Sequence, residues 1–443
     1  MSEPVFSPAL TSDEGVQLAT ELFRDTFGTN PQGVWYAPGR VNVIGEHTDY
    51  NGGLALPIAL PHRAHLALSV RDDRTIRLVS PQTREAVDEL NLDEIGPKGS
   101  AGEVKGWAAY IAGVAWAMEQ AGLGPLPGFD AALYSCVPLG GGLSSSAALE
   151  CSVAVALADM AGLELDGQPM AGSAHAPNDE GRAQLVTYCV RAENDVAGAP
   201  TGGMDQAASL RCHEGHALKL NCRDGSVEHV PFDLAASGLA LLVIDTKAPH
   251  SLVDGQYAAR RAACERAAAL MGVDLLADLD PANLAEDMGH LRHLALDDQT
   301  ATCADAASEI ADDADMLVRR TRHVVTEIAR TAELVELLKN NERLEGDVLA
   351  SVGELMNASH DSLRNDYEVT CPELDVTVEA ARNAGAHGAR MTGGGFGGSA
   401  IALVDADAVD TVAQAVVKAY EENGFNPPAF LKAAPSAPAG RLQ

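Results

Sequence analysis

Basic residues are scarce: 31 lysines and arginines stand against 63 aspartates and glutamates in 443 residues, a formal net charge of −32 at pH 7. A field of that sign repels nucleic acid and anionic membranes and disfavours both as partners. Aromatic residues are also few, at 4% of the chain. No apolar run reaches the roughly 20 residues of a membrane span. The most apolar stretch, 54–70, is interrupted by Pro57, Pro61, His62, Arg63 and His65. The first ten residues hold Glu3 and no basic cluster, which speaks against a secretory leader. The 8 cysteines are scattered without a CxxC pair, so free thiols in a reducing cytoplasm are expected in place of a disulfide framework. Cys212, His213, His216 and Cys222 lie close together, but their spacing matches no standard zinc framework; a pair of strands around a Glu214–Gly215 turn accounts for them.

What is present is an apolar content of 46%, enough for a sizeable core and, at this length, for two or three domains. Strand-like segments at 33–38, 65–70 and 129–139 alternate with helical patterns at Val16–Phe27, Lys105–Ala121 and Ala147–Ala161. The second half opens on a strand, "LALLVID" (239–245). Helices follow over Tyr257–Met271, Leu317–Leu344 and Leu349–Leu363, then "SAIALVD" (399–405) and a helix over Ala408–Asn423. The turn-rich stretch 221–232 separates the halves, giving expected domains at 1–225 and 226–443. The polar segments Leu163–Arg182 and 280–315 read as surface loops.

Three glycine-rich constellations carry chemistry. "PLGGGLSSSAALE" (138–150) follows a strand and runs into a helix near Ser145. Consecutive glycines let backbone approach a ligand closely, and the helix start aims unpaired N–H groups at it, which suits phosphate. No lysine follows in the GxxxxGK[ST] spacing, so another group must meet the γ-phosphate. "APGRVNVIGEHTDYNGG" (37–53) gathers Arg40, Glu46, His47 and Asp49, a mix of donors and acceptors that suits a polyol. "ARMTGGGFGGSAIAL" (389–403) implies close packing of backbone against a ligand or another segment. Glu193 and Asp205, twelve positions apart in "RAENDVAGAPTGGMDQAAS", are two further carboxylates. Asp205 sits on a glycine turn, where it reads either as a held base or as a solvated or capping residue.

Together these stretches, with "RRTRHVVTE" (319–327) and "SHDSLRNDYEVTCPELD" (359–375), resemble the galactokinases of the GHMP kinase superfamily along essentially the whole chain. The resemblance implies an α+β, two-domain GHMP-kinase fold: a mixed-sheet N-terminal domain and a ferredoxin-like α/β C-terminal domain, with the active site between them. It implies transfer of the γ-phosphate of ATP to the anomeric hydroxyl of galactose, which opens galactose breakdown. By position, Arg40 faces the transferring phosphoryl group and Asp205 is the catalytic base. Glu46, His47, Asp49, Gly202 and Tyr257 bind sugar. Gly140, Gly141, Gly142, Leu143, Ser144, Ser145 and Ser146 cradle the triphosphate, and Ser146 and Glu193 hold Mg²⁺. Trp107 and Tyr110, near one another on a helix, either line the adenine pocket or pack in the core. The partners implied are galactose and ATP, for a cytoplasmic monomer whose C-terminal "FLKAAPSAPAGRLQ" packs against the body. The rivals are a kinase of N-acetylgalactosamine or arabinose, and a non-catalytic galactose sensor; the intact "LSSSAA" and the presence of Arg40, Glu193 and Asp205 argue against the sensor.

Overall fold

The computed structural model describes residues 3–82, 84–165, 168–169, 178–248, 255–300 and 307–443. Two sheets organise it. The first has six strands in the order Gly440–Arg441, Gly33–Asn42, Pro57–Val70, Phe129–Ser135, Thr75–Ser80, Arg84–Asn91. It is mixed, because Thr75–Ser80 runs parallel to Phe129–Ser135 while the other pairings are antiparallel. Gly33–Asn42 is buried along its whole length, as an apolar strand covered on both faces should be. Helices Ala108–Gln120 and Ser145–Met160 are apolar nearly all round and sink into one core with Trp35, Leu66, Ile76 and Leu133. Helix Ser12–Phe27 covers the other face through Ala19 and Phe23, packed on Val34, Ala67 and Ala132.

The second sheet runs Val5–Phe6, Ala429–Ala433, Leu239–Asp245, Ser399–Asp405, Gly388–Thr392. Without Val5–Phe6, it is a strand, a helical excursion, a hairpin, the helix Val409–Asn423 and a last strand beside the first: the ferredoxin-like split βαβ arrangement. The mixed-sheet half and the ferredoxin-like half are thus both present. Each terminus crosses over: Val5–Phe6 joins the second sheet, and Gly440–Arg441 joins the first. A shared core of Val41, Ile44, Leu56, Val243, Ile401 and Leu431 joins the two sheets, so the loops leaving them meet at one place.

Among its described residues, the acidic stretch 280–315 is largely helical, against the expected loop. It contains the helix Leu284–Thr300, which packs against the long helix Ala307–Asn340. Met288, Leu291 and Ala295 recur at helical spacing and are buried, while Glu286, His290, Arg292, His293, Asp297 and Asp298 are exposed on the outer face. In Leu163–Arg182 the helix Asp179–Arg191 begins at its Asn178 cap, and residues 166–167 and 170–177 lie outside the described ones. Cys212 ends the helix Met204–Arg211, so the strand His216–Asn221 pairs instead with Val227–Pro231. Among the described residues, no group of three or more His, Cys, Asp or Glu could hold a metal.

His65 lies buried under helix Ser12–Phe27, where only a glycine fits: a Cβ on Gly15 would come within 2.2 Å of its Nε2. Burial pushes His65 down to about 4. A histidine with a folded value below its unfolded one holds fewer protons folded than unfolded across that interval. Its contribution is therefore complete above about pH 6.5 and is lost as pH falls toward 4. We expect the stability difference between wild type and His65→Leu to shift against wild type over that interval, by roughly 1.4 kcal/mol per unit. Paired melting temperatures across pH test this; a constant difference would contradict it.

Candidate active site

The phosphate loop is built by torsions that most residues avoid. Gly140 and Gly142 take φ of 71° and 68°, and Ser144 takes φ of 59° in the left-handed region. Ser144 therefore does not cap the helix Ser145–Met160 that follows it. Its hydroxyl turns away and donates to Asp205 Oδ2 at 2.5 Å. The first turn of the helix is left without that side-chain cap, which suits an incoming phosphate. The loop is braced from the ferredoxin-like half: Ser399 Oγ donates to the Gly141 carbonyl at 2.5 Å.

Arg40 is aimed by a bulge. The register between Gly33–Asn42 and Pro57–Val70 shifts between Pro38 and Arg40. A Cβ on the intervening Gly39 would lie 2.6 Å from the Leu143 carbonyl, while the Arg40 amide donates to that same carbonyl at 3.1 Å. The Arg40 side chain donates from Nε to Asp205 Oδ1 (2.9 Å) and from Nη1 to the Gly142 carbonyl (2.6 Å). Nη2 reaches Asp205 Oδ1 at 2.8 Å. Asp205, in the first turn of Met204–Arg211, thus sits between the guanidinium and the Ser144 hydroxyl.

Beside it is a cavity of about 170 Å³ bounded by Arg40, Glu46, His47, Asp49, Asp205 and Tyr257. Glu46 is buried, and its Oε1 accepts from the Gly393 amide (2.8 Å) and Thr392 Oγ1 (3.1 Å), with Arg390 Nη1 at 3.5 Å. That pins one oxygen to the third glycine motif. Asp49 is raised to about 6, chiefly by burial and then by the charge of Asp205. Gly202 packs against it so closely that a Cβ there would fall 2.2 Å from Asp49 Oδ2. His47 has φ of 60°, and burial pushes its ring down to about 3.

Glu193 sits on a π-helical turn, Ala192–Ala197, and is raised to about 7 by burial and by Asp205, opposed by hydrogen bonds from Ser146 and Gln206. Gln206 Nε2 bridges it (2.5 Å) to the fully buried Glu150 (3.0 Å). A buried carboxyl destabilised by a neighbouring carboxylate, next to a serine hydroxyl, is a hard-oxygen donor set that fits a divalent cation completed by phosphate oxygens and water. A second cavity of about 650 Å³, lined by Lys98, Tyr110, Gly198, Pro200 and Tyr257, shares Pro200 and Tyr257 with the first. Tyr110 faces it. Trp107 instead donates to Asp88 (2.8 Å) and packs against the N-terminal core.

The structure thus gathers Arg40, Glu46, His47, Asp49, Glu193, Asp205 and Tyr257 around the smaller cavity, with the 140–146 loop attached through Ser144 and Gly142. Residue-type reading passed over Arg390, Thr392, Gln206, Glu150, Tyr50 and Tyr367. The first two lie in the third motif and Glu150 ends the first. Tyr50 follows Asp49, Gln206 follows Asp205, and Tyr367 lies in the stretch 359–375. Of the segment 249–261, residues 249–254 lie outside the described ones.

Models of three families match: the galactokinase galactose-binding signature over residues 21–70, the GHMP kinase N-terminal domain over 109–213 and the GHMP kinase C-terminal domain over 333–422. The chain is 46% identical to a galactokinase of Streptomyces coelicolor, over 95% of this chain and 97% of that one. It is 40% identical to one of Mycobacterium tuberculosis, over 90% and 97%. The structure of a Lactococcus lactis galactokinase complexed with galactose superposes with a TM-score of 0.79 at 32% identity, covering 96% and 98%. With relatives this similar over almost its whole length, and the galactose-binding signature falling on the strand and loop that carry Arg40, Glu46, His47 and Asp49, the chain belongs to the galactokinase family.

Proposed function

We propose that this protein is a galactokinase, transferring the γ-phosphoryl group of ATP to the anomeric hydroxyl of galactose. The observation that carries the reading is Asp205, held between Arg40 and Ser144 where the small polar cavity meets the phosphate loop. A carboxylate so placed accepts the hydroxyl proton as the oxygen attacks, and a guanidinium beside it meets the charge that spreads over the transferring group. Glu46 and Asp49 offer acceptors to several sugar hydroxyls, so an epimer with a displaced hydroxyl leaves buried oxygens unpaired. The loop Gly140–Ser146 and the start of its helix supply backbone N–H groups to the phosphates, the local positive potential that a chain of net charge −32 otherwise lacks.

Ser146 and Glu193 would hold Mg²⁺. When bound, the ion neutralises charge on the β- and γ-phosphate oxygens. Glu193→Gln is expected to weaken Mg²⁺ by about tenfold or more while leaving the galactose KM within about twofold. A Mg²⁺ titration of turnover checks this, and an unchanged Mg²⁺ requirement would remove Glu193 from the role. Tyr110 and the larger cavity suit the adenine. The proposed boundary between residues 1–225 and 226–443 falls in the turn of the hairpin His216–Asn221 and Val227–Pro231, with the site between the two halves. No described helix is long and apolar enough to cross a membrane, and the free thiols of the described cysteines suit a reducing cytoplasm.

ADP release measured with galactose, N-acetylgalactosamine, arabinose, homoserine and mevalonate tests the substrate. Galactose should give the highest kcat/KM. A higher value for N-acetylgalactosamine or arabinose would reassign the sugar, and no turnover with any of the five would favour the sensor.

A further inference from the structure

In a chain poor in aromatics, three of the 8 tyrosines gather around one histidine. The His47 ring lies 5.9 Å from that of Tyr50, 5.6 Å from Tyr257 and 4.8 Å from Tyr367, centroid to centroid. A line of hydrogen bonds runs through the cluster. The Gly394 carbonyl lies 3.2 Å from His47 Nε2, and His47 Nδ1 is 2.8 Å from the Tyr50 hydroxyl. Tyr50 is 2.7 Å from the Tyr367 hydroxyl, and Tyr367 is 3.1 Å from Cys264 Sγ. The line starts at the sugar cavity, passes through His47 and Tyr50 of the N-terminal half, and ends inside the helix Gln256–Met271 of the C-terminal half.

Its direction follows from its ends. A carbonyl only accepts, so His47 Nε2 carries the proton. A neutral ring then has its one lone pair at Nδ1, which accepts from Tyr50. The Tyr50 oxygen in turn accepts from Tyr367, and Tyr367 from the Cys264 thiol. Uncommon backbone geometry holds both ends of the pair of tyrosines. His47 sits at positive φ, and Tyr367 closes the π-helical turn Leu363–Tyr367. Arg260 Nε ties that turn down by donating to the Tyr367 carbonyl at 2.9 Å, and Arg320 donates to the Asp366 carbonyl.

We propose that Tyr50 and Tyr367 are positioning residues for sugar binding. By occupying Nδ1 they hold the His47 ring in place in the Nε2–H tautomer that the Gly394 carbonyl selects, so that it meets the sugar as a hydrogen-bond donor to a hydroxyl oxygen. The inference rests on His47 being a sugar residue, as proposed above. The contact to Gly394 is long enough for the Nε2–H to be shared with a ligand oxygen. The other tautomer would set a lone pair against the Gly394 carbonyl. The Tyr367 ring packs on His47 directly, but its hydroxyl reaches His47 only through the Tyr50 hydroxyl, so removing the Tyr367 hydroxyl affects the sugar only while the Tyr50 hydroxyl is present.

Steady-state kinetics of Tyr50→Phe, Tyr367→Phe, the double variant and His47→Ala, with melting temperatures recorded beside them, test this. Tyr50→Phe should raise the galactose KM about tenfold, with kcat and the ATP KM within about twofold of wild type. Tyr367→Phe should raise it about threefold, and the double variant should match Tyr50→Phe alone. A purely structural role would lower melting temperatures without this split between KM and kcat. If Tyr50→Phe does not fold, Tyr367→Phe carries the test: an unchanged galactose KM overturns the proposal. So do single-variant effects that multiply fully in the double variant. So does a normal KM in Tyr50→Phe when His47→Ala raises it, and that outcome leaves His47 as a sugar residue. An unchanged KM in His47→Ala overturns both readings.

Discussion

Asp205→Asn should lower kcat by about a thousandfold while the galactose KM moves by less than about threefold. The substitution keeps the shape of the side chain and one accepting oxygen. That oxygen can still receive Arg40, which donates to Oδ1 from Nε at 2.9 Å and approaches it with Nη2 at 2.8 Å. The loss falls on the other side. Oδ2 now accepts from Ser144 at 2.5 Å, and it becomes an amide nitrogen that can neither accept that hydroxyl nor take a proton from the sugar. In the proposed assignment, ground-state binding of galactose rests mainly on Glu46, His47 and Asp49, which the substitution leaves in place. The effect therefore belongs to kcat. An Asp205→Asn enzyme within about tenfold of wild-type kcat would mean that Asp205 only orients the hydroxyl and that proton removal does not govern the rate.

The second large effect is expected at Arg40. Arg40→Ala should lower kcat by about a thousandfold, the scale of an arginine that meets transition-state charge in phosphoryl transfer. Arg40→Lys should recover little of it. One guanidinium spans two partners in this site, the Asp205 carboxylate through Nε and Nη2 and the Gly142 carbonyl through Nη1 at 2.6 Å. An ammonium is a single point of charge and cannot hold the phosphate loop and the carboxylate together. Stopped or quenched single-turnover measurements separate this from nucleotide binding. If Arg40→Ala raised the ATP or galactose KM while leaving the single-turnover rate near wild type, Arg40 would be a binding residue only.

Much of this site is legible in the sequence because its chemistry sits in contiguous stretches. Glycines at 140–142 permit the close loop, and Arg40, Glu46, His47 and Asp49 come from one strand and the turn after it. The strands 239–245 and 399–405 are found to the residue, since apolar β-branched runs between turns leave little choice. The strand Arg84–Asn91 is hidden because an edge strand with a solvent face reads as polar. The helix Leu284–Thr300 is hidden because the many charged and polar residues of its outer face mask the 3- and 4-residue spacing of Met288, Leu291 and Ala295. The supports of the site are hidden for another reason. Arg390 reaches the Asn42 and Val43 carbonyls, Thr392 and Gly393 pin Glu46, and Tyr367 reaches Tyr50. All of these span some 300 residues, and no local pattern encodes such a pairing. The crossing of the two termini between sheets is illegible for the same reason, since Val5–Phe6 and Gly440–Arg441 are each two residues long.

The position of the phosphate on the product tests the central claim most directly. With galactose, ATP and Mg²⁺ as substrates, a phosphorus-coupled proton spectrum of the product should show the large three-bond phosphorus splitting on the anomeric proton, with at most a smaller four-bond splitting on its C2 neighbour. That result places the ester on the hydroxyl beside Asp205. A product phosphorylated at any other sugar oxygen, or ADP release without a sugar phosphate, would contradict the assignment of this site.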